Sequence, residues 1–363
     1  GAIANGTGAG AIGYLANTQG IDAMAIGVQA CALGNNSMAI GTTACSTGTD
    51  SIAIGYSASS TNTNSSSIGT NATASGINSM AFGANSRAYG TNSTAIGAQS
   101  FADQTNSFVI GPNTTACGVN AGAIGASANA NGESSLAIGV QSFAKEKSSL
   151  ALGTNAKSIG TNSTAIAVNA SATGANSMAV GYFSTSEGVN SAALSVKANA
   201  SGDNSVALGV LANANGANAI AFGANSSSNG PNTSASGTNA RAIGFNAIAD
   251  GTDAFAEGRN VIAIGTGAKA IGYNTNVMAM GTNGYSEGTN TMALGTDSYA
   301  VGVNITAIGP RARAVGFDSA SFGTQAIAEG NQALAIGAFS SSYSDYASAF
   351  GPGATARAFG STA

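Results

Sequence analysis

Apolar side chains larger than alanine fall along this chain in a column with a period of fourteen: Ile12, Ile26, Ile40, Ile54, Ile68, Phe82, Ile96, Ile110, Ile124 and Ile138. The column continues through Leu152, Ile166, Val180, Leu194, Leu208 and Phe222. Midway between its members stand Gln19, Thr47, Thr61, Ser75, Asp103 and Asn131, with Leu33 and Tyr89 as exceptions. A glycine follows nearly every one of these positions, so that a seven-residue comb runs from Gly6 to Gly272 and a second, displaced by two residues, from Gly281 to Gly351. Asn62, Gln104, Glu146, Ala167, Ser195 and Ser344 replace the comb glycine. Two and four residues before the comb the chain has Ala or Ser, as at Ala23, Ala25, Ser37 and Ala39. Small residues at a spacing of two mark a strand, and the glycine marks its bend. A heptad helix is excluded, because a glycine in every heptad costs about 1 kcal/mol each time.

The pattern predicts an all-β chain: a β-solenoid, or parallel β-roll, whose fourteen-residue rung holds one apolar and one polar short strand of about five residues, with a turn after each. Nineteen steps between Gly6 and Gly272 and five between Gly281 and Gly351 make about 24 rungs in a single solenoid over 1–363. At roughly 4.8 Å per stacked strand the expected rod is on the order of 115 Å long. Irregular rungs are expected at 273–280 and 352–359, where the comb spacing lengthens by two residues. The polar half-rung has one small face and one hydrophilic face. The apolar half-rung, SMAIG at 37–41, has small residues on one face and Met or Ile on the other, so neither face suits water. One face packs inside the roll as a structural core column, and the other needs a partner, since a monomer rarely exposes an apolar stripe of more than a few hundred Å². A homo-oligomer around a shared axis follows.

Five residues before the comb on the apolar half runs a column of Asn36, Asp50, Asn64, Asn78, Asn92, Asn106 and Asn120, then Asn162, Asn176 and Asn190 and onward. Asn tolerates left-handed backbone, and stacked amides form ladders, so this is either a turn-forming ladder or a ligand-binding array. Composition narrows the chemistry. The 363 residues include no His, 7% are charged, and the formal net charge is −4, which leaves no electrostatic footprint for nucleic acid. No run is long and apolar enough to insert in a membrane as a helix. The carboxylates are scattered, with Asp250, Asp253 and Glu257 the one modest cluster, read as a solvated face. No catalytic residue, metal site or cofactor is expected. Cys31 and Cys45 lie one rung apart in one column, within the reach of a disulfide; a rung-to-rung staple and two free thiols are the alternatives, and Cys117 stands alone.

NSMAIG followed by TTACSTG, and NSTAIG followed by AQSFAD, resemble the head repeat of YadA-like trimeric autotransporter adhesins, over essentially the whole chain. The resemblance implies a trimer of left-handed parallel β-rolls at a bacterial surface, extracellular, that binds extracellular matrix or a host surface protein such as collagen. A non-enzymatic adhesin head is therefore the first expectation. End-to-end stacking of rods into a structural filament and a phage or viral fibre are the alternatives. An ice-binding face is disfavoured because Thr42, Thr70, Thr91 and Thr154 form no regular array.

Overall fold

The computed structural model describes residues 1–272 and 276–363, which fall into two compact units, Gly1–Phe183 and Ser184–Ala363. Among the described residues every regular element is a strand, and the same rung builds both units. In each unit two parallel sheets face one another. One is made of three-residue strands such as Met38–Ile40 and Ile52–Ile54, the other of two-residue strands such as Cys45–Ser46 and Ser59–Ser60. Successive rungs pair in strict register at an offset of fourteen, with Met38, Ala39 and Ile40 against Ile52, Ala53 and Ile54.

The strands are shorter than the five residues expected because the corners consume the rest of the rung. At one corner Ala44 N–H donates to Gly41 O at 3.3 Å, with Thr43 in the left-handed region at φ 57. At the other, Ser65 N–H donates to Asn62 O at 3.1 Å, with Asn64 at φ 56. Both are turns that require positive φ at their third residue, which favours Asn, Asp and Gly there.

The two halves of the glycine comb serve different ends. Gly41, after an apolar strand, sits at φ 130, where a side chain is strained. Gly34, after a polar strand, has no such angle, yet a Cβ on it would lie 1.9 Å from the carbonyl oxygen of Gly48 in the next rung. Spacing alone made them one column, and the backbone makes them two.

The interior belongs to alanine and serine. Within one rung Ser37, Ala39, Ala44 and Ser46 are all buried, with at most 1% of their surface open. Some buried hydroxyls are satisfied locally: Ser46 and Ser51 share a 2.5 Å hydrogen bond, and Ser51 donates to Gly48 O at 2.6 Å, whereas Ser37 and Ser79 are buried without a hydrogen-bond partner among the described residues. Each buried methyl contributes only about 0.8 kcal/mol, so a core of this kind leans on its unbroken backbone ladder.

Rungs of the second unit between Gly230 and Gly316 depart from this plan. Their polar half-strands lengthen to five residues, as in Arg241–Phe245, Phe255–Arg259, Tyr285–Thr289, Tyr299–Val303 and Arg313–Phe317. Here Gly244, Gly258, Gly288 and Gly302 also take positive φ, between 117 and 137. Corner positions that hold Ser elsewhere hold Thr233, Val261, Thr291 and Ile305, all buried, so bulkier corners accompany the longer strands. The expected irregular rung at 273–280 lies partly outside the described residues. Its consequence is visible on either side, where the offset is sixteen: Val261 pairs with Val277 and Lys269 with Tyr285. The rung at 352–359 is regular instead. Ser341 pairs with Thr355 and Ser348 with Thr362, both at fourteen, and Gly360 is displaced because it fills the left-handed corner at φ 66.

Candidate interaction surfaces

The outer face of the three-residue strands carries two apolar columns side by side. In Met38–Ile40, Ala39 points into the roll and is fully buried, which by the period of two turns Met38 and Ile40 outward. The column expected as a structural core thus stands outside the chain's own core. Ile26, Ile40, Ile54, Phe82, Ile124 and Ile138 are half-buried, while Ile12, Ile68, Ile96 and Ile110 are 63, 39, 37 and 44% exposed. The reason is volume: the roll interior is filled mainly by methyl and hydroxymethyl groups, with a few larger side chains such as Val109 and Ile305, and most large side chains are left for the other face. Where the neighbouring column loses its side chain at Gly122, the ring of Phe108 fills the gap; a Cβ there would lie 2.4 Å from its Cε1 and Cζ. In the second unit Ser236 and Asp250 interrupt the apolar column.

At one corner the Asn column forms a chain of amide hydrogen bonds. Asn36 donates to Asp50 at 2.9 Å, Asn64 to Asn78 at 2.9 Å, Asn78 to Asn92 at 3.0 Å, Asn92 to Asn106 at 3.1 Å and Asn106 to Asn120 at 2.9 Å. Asn162 donates to Asn176 at 3.1 Å in the first unit, and Asn190 to Asn204 at 3.1 Å in the second. Every one of these residues has φ near 55. Asn tolerates that angle and its amide both donates and accepts along the stack, so one residue type meets both demands.

The outer face of the two-residue strands is polar for most of the chain. In the second unit it carries a ladder that sequence reading missed. The Arg241 guanidinium lies 5.5 Å from the Phe255 ring, Lys269 Nζ lies 5.7 Å from Phe255 and 5.5 Å from Tyr285, and Tyr285 stacks on Tyr299 at 5.2 Å and 11°. Arg313 closes the series, 4.9 Å from Tyr299, with its Nε 2.9 Å from Glu329. All six occupy one register column, three residues before the comb, so the fourteen-residue spacing held the signal. Ring faces are taken up by neighbouring cations and rings, which makes the ladder cohesive along the roll.

Cys31 and Cys45 are direct register partners in that same column of the first unit, both half-buried and both free thiols. Burial, then the charge of Cys45 and a hydrogen bond with it, push the Cys31 thiol up to about 12. Cys117, in a different column, is raised by burial and by Asp103. Among the described residues no group of three or more Cys, Asp or Glu is placed to hold a metal ion. On the side of the Asn corner, Asn260, Ile262, Asn276, Met278 and Met292 line a hollow of about 540 Å³.

In-register rungs, a small-residue core and large apolar columns turned outward define a parallel β-solenoid built from one repeated supersecondary unit. The family model described as the YadA head domain repeat, in two copies, matches the chain over residues 19–86, 88–114, 116–142, 144–166, 172–194, 200–268, 286–312 and 314–340. The chain belongs to the YadA head repeat family. Comparison with curated proteins finds no match.

Proposed function

We propose that the protein is a non-enzymatic adhesin head that acts at a cell surface as a homotrimer, with the outer faces of the three-residue strands packed around a shared axis. One observation carries the reading. Both apolar columns lie outside the chain's own core, over rung after rung, while the opposite sheet presents Asn, Ser, Thr and charged residues. A stripe of that extent in water exceeds what a monomer sustains, and a closed ring of copies covers it with the same patch on every chain. The polar sheet then faces outward, where repeated weak contacts with matrix or cell-surface proteins add through multiplicity rather than through any single deep pocket. Attachment to matrix is the activity this arrangement serves, and the location it implies is extracellular.

Two measurements test it. Mass in solution should be three times the 34.7 kDa chain; a monomer at micromolar concentration removes the packing argument. The intact protein should then be retained on immobilised collagen or on intact animal cells, and be released more readily once dissociated into single chains. A stable trimer retained by neither surface would leave the oligomer standing and sink the adhesin reading.

A further inference from the structure

We propose that Cys31 and Cys45 are a redox-active pair that closes to a rung-to-rung disulfide, a covalent staple across two successive turns of the first unit. The placement is what carries this. The two residues are Cα partners on adjacent parallel strands, Cys31–Ala32 and Cys45–Ser46, and the strict register turns both side chains to the same outer face. Ala32 and Ser46, the next residues, are fully buried, so neither cysteine can rotate inward without displacing the core. Neighbouring strands lie about 4.8 Å apart, inside the separation of Cα atoms that disulfides span. Metal binding is the competing use of paired thiols, but no third Cys, Asp or Glu among the described residues completes a ligand set.

The chemistry needs an oxidant, and the class is a disulfide: either a low-molecular-weight one or that of a thiol-disulfide oxidoreductase. The thiolate of one cysteine attacks a sulfur of R–S–S–R, forms a mixed disulfide and expels one thiol. The second cysteine, deprotonated, then attacks the protein sulfur of that mixed disulfide and expels the second thiol. Two protein thiols and one R–S–S–R become one protein disulfide and two R–SH, and the electron balance closes. Whichever step uses the Cys31 thiolate is slowed near neutral pH, because that thiol holds its proton up to about 12. The second step is intramolecular, between register partners on adjacent strands. Both residues are half-buried rather than sealed, which leaves a small disulfide a path to them.

The test uses the 363-residue chain incubated with oxidised glutathione at mildly alkaline pH, followed by alkylation under denaturing conditions and mass measurement. Reduced protein should take three alkyl groups, on Cys31, Cys45 and Cys117. Oxidised protein should take one, on Cys117, with no glutathione retained and a peptide map joining Cys31 to Cys45 within one chain. The C117S variant should give the same crosslink, and C45S should hold glutathione on Cys31 instead. In the stapled form, opening of the loop between the two cysteines, read by amide hydrogen exchange, should slow by on the order of 100-fold. Glutathione retained on both cysteines, a crosslink between two chains, or full alkylation after oxidation would each overturn the proposal. None of these outcomes bears on adhesion.

Discussion

Replacing Ile96 by Asp tests where the outer apolar column lies in the assembled protein. In the single chain Ile96 keeps 37% of its surface open. Burying the remainder is worth about 0.6–1.1 kcal/mol per chain, taking about 1.5–3 kcal/mol for a fully buried aliphatic side chain. The aspartate does far more than lose this. In the proposed trimer three carboxylates would converge at one level of the axis, and each uncompensated buried charge costs about 3–5 kcal/mol, so the level would be destabilised by on the order of 10 kcal/mol. The chains should nevertheless stay together, because the neighbouring rungs still contribute, and the damage should be local opening. Gly97 N–H donates to Phe82 O at 2.7 Å and Gly111 N–H to Ile96 O at 2.8 Å, and their amide exchange reports that opening. Exchange at both should rise by at least about 100-fold, with solution mass unchanged. Thr61→Asp is the control, since its column on the polar sheet already carries Asp103 and the site is exposed; it should change neither. If Gly97 and Gly111 exchange in Ile96→Asp at wild-type rates, the column faces water in the assembly and the packing argument is wrong.

The amide ladder and the comb make further predictions. Asn92→Ala should destabilise the first unit by about 1–2 kcal/mol, from two lost side-chain hydrogen bonds and the strain of alanine at φ 56. Asn92→Gly should cost less, and chemical denaturation of the pair would expose a failure of the strain argument if the two were equal. Gly34→Ala puts a Cβ 1.9 Å from Gly48 O and must push a rung off its ladder, whereas Gly10→Ala meets nothing within 4 Å; thermal unfolding should separate them by several degrees. Cys31 should alkylate slowly at pH 8 and speed up as pH climbs towards about 12, a profile that per-cysteine mass spectrometry can follow. The sign for stability follows from the same shift. The native state keeps the proton that the unfolded chain gives up from about 9, so this contribution is full below pH 9 and fades towards pH 12.

Much of the fold is legible because the repeat is strict. A period of fourteen with small residues at a spacing of two specifies parallel rungs, and each extra copy of SMAIG or its relatives restates the same register. The cation–aromatic ladder was hidden for a different reason. Arg241, Phe255, Lys269, Tyr285, Tyr299 and Arg313 mix four residue types, so a search for one recurring residue passes over them, and a two-residue insertion shifts the last three off the period. The last rung is the opposite case: the expected irregularity at 352–359 is absent, because Gly360 fills the left-handed corner that Tyr346 fills one rung earlier at φ 61.

The sequence by itself determined the repeat unit, the all-β class, the parallel register and the columns into which every side chain falls, since covalent spacing and a fixed rise per rung leave no freedom in these. Tertiary structure decided which face each column meets. Alternation at a spacing of two says only that Ala39 and Ile40 point opposite ways; the narrow interior of that rung, packed with Ala and Ser side chains, is what sends alanine inward and isoleucine out. The same is true of the comb, whose glycines look alike in one dimension. In three, Gly41 answers to its own φ and Gly34 to the carbonyl of the next rung, because local conformation and stacking distance act on the two corners separately.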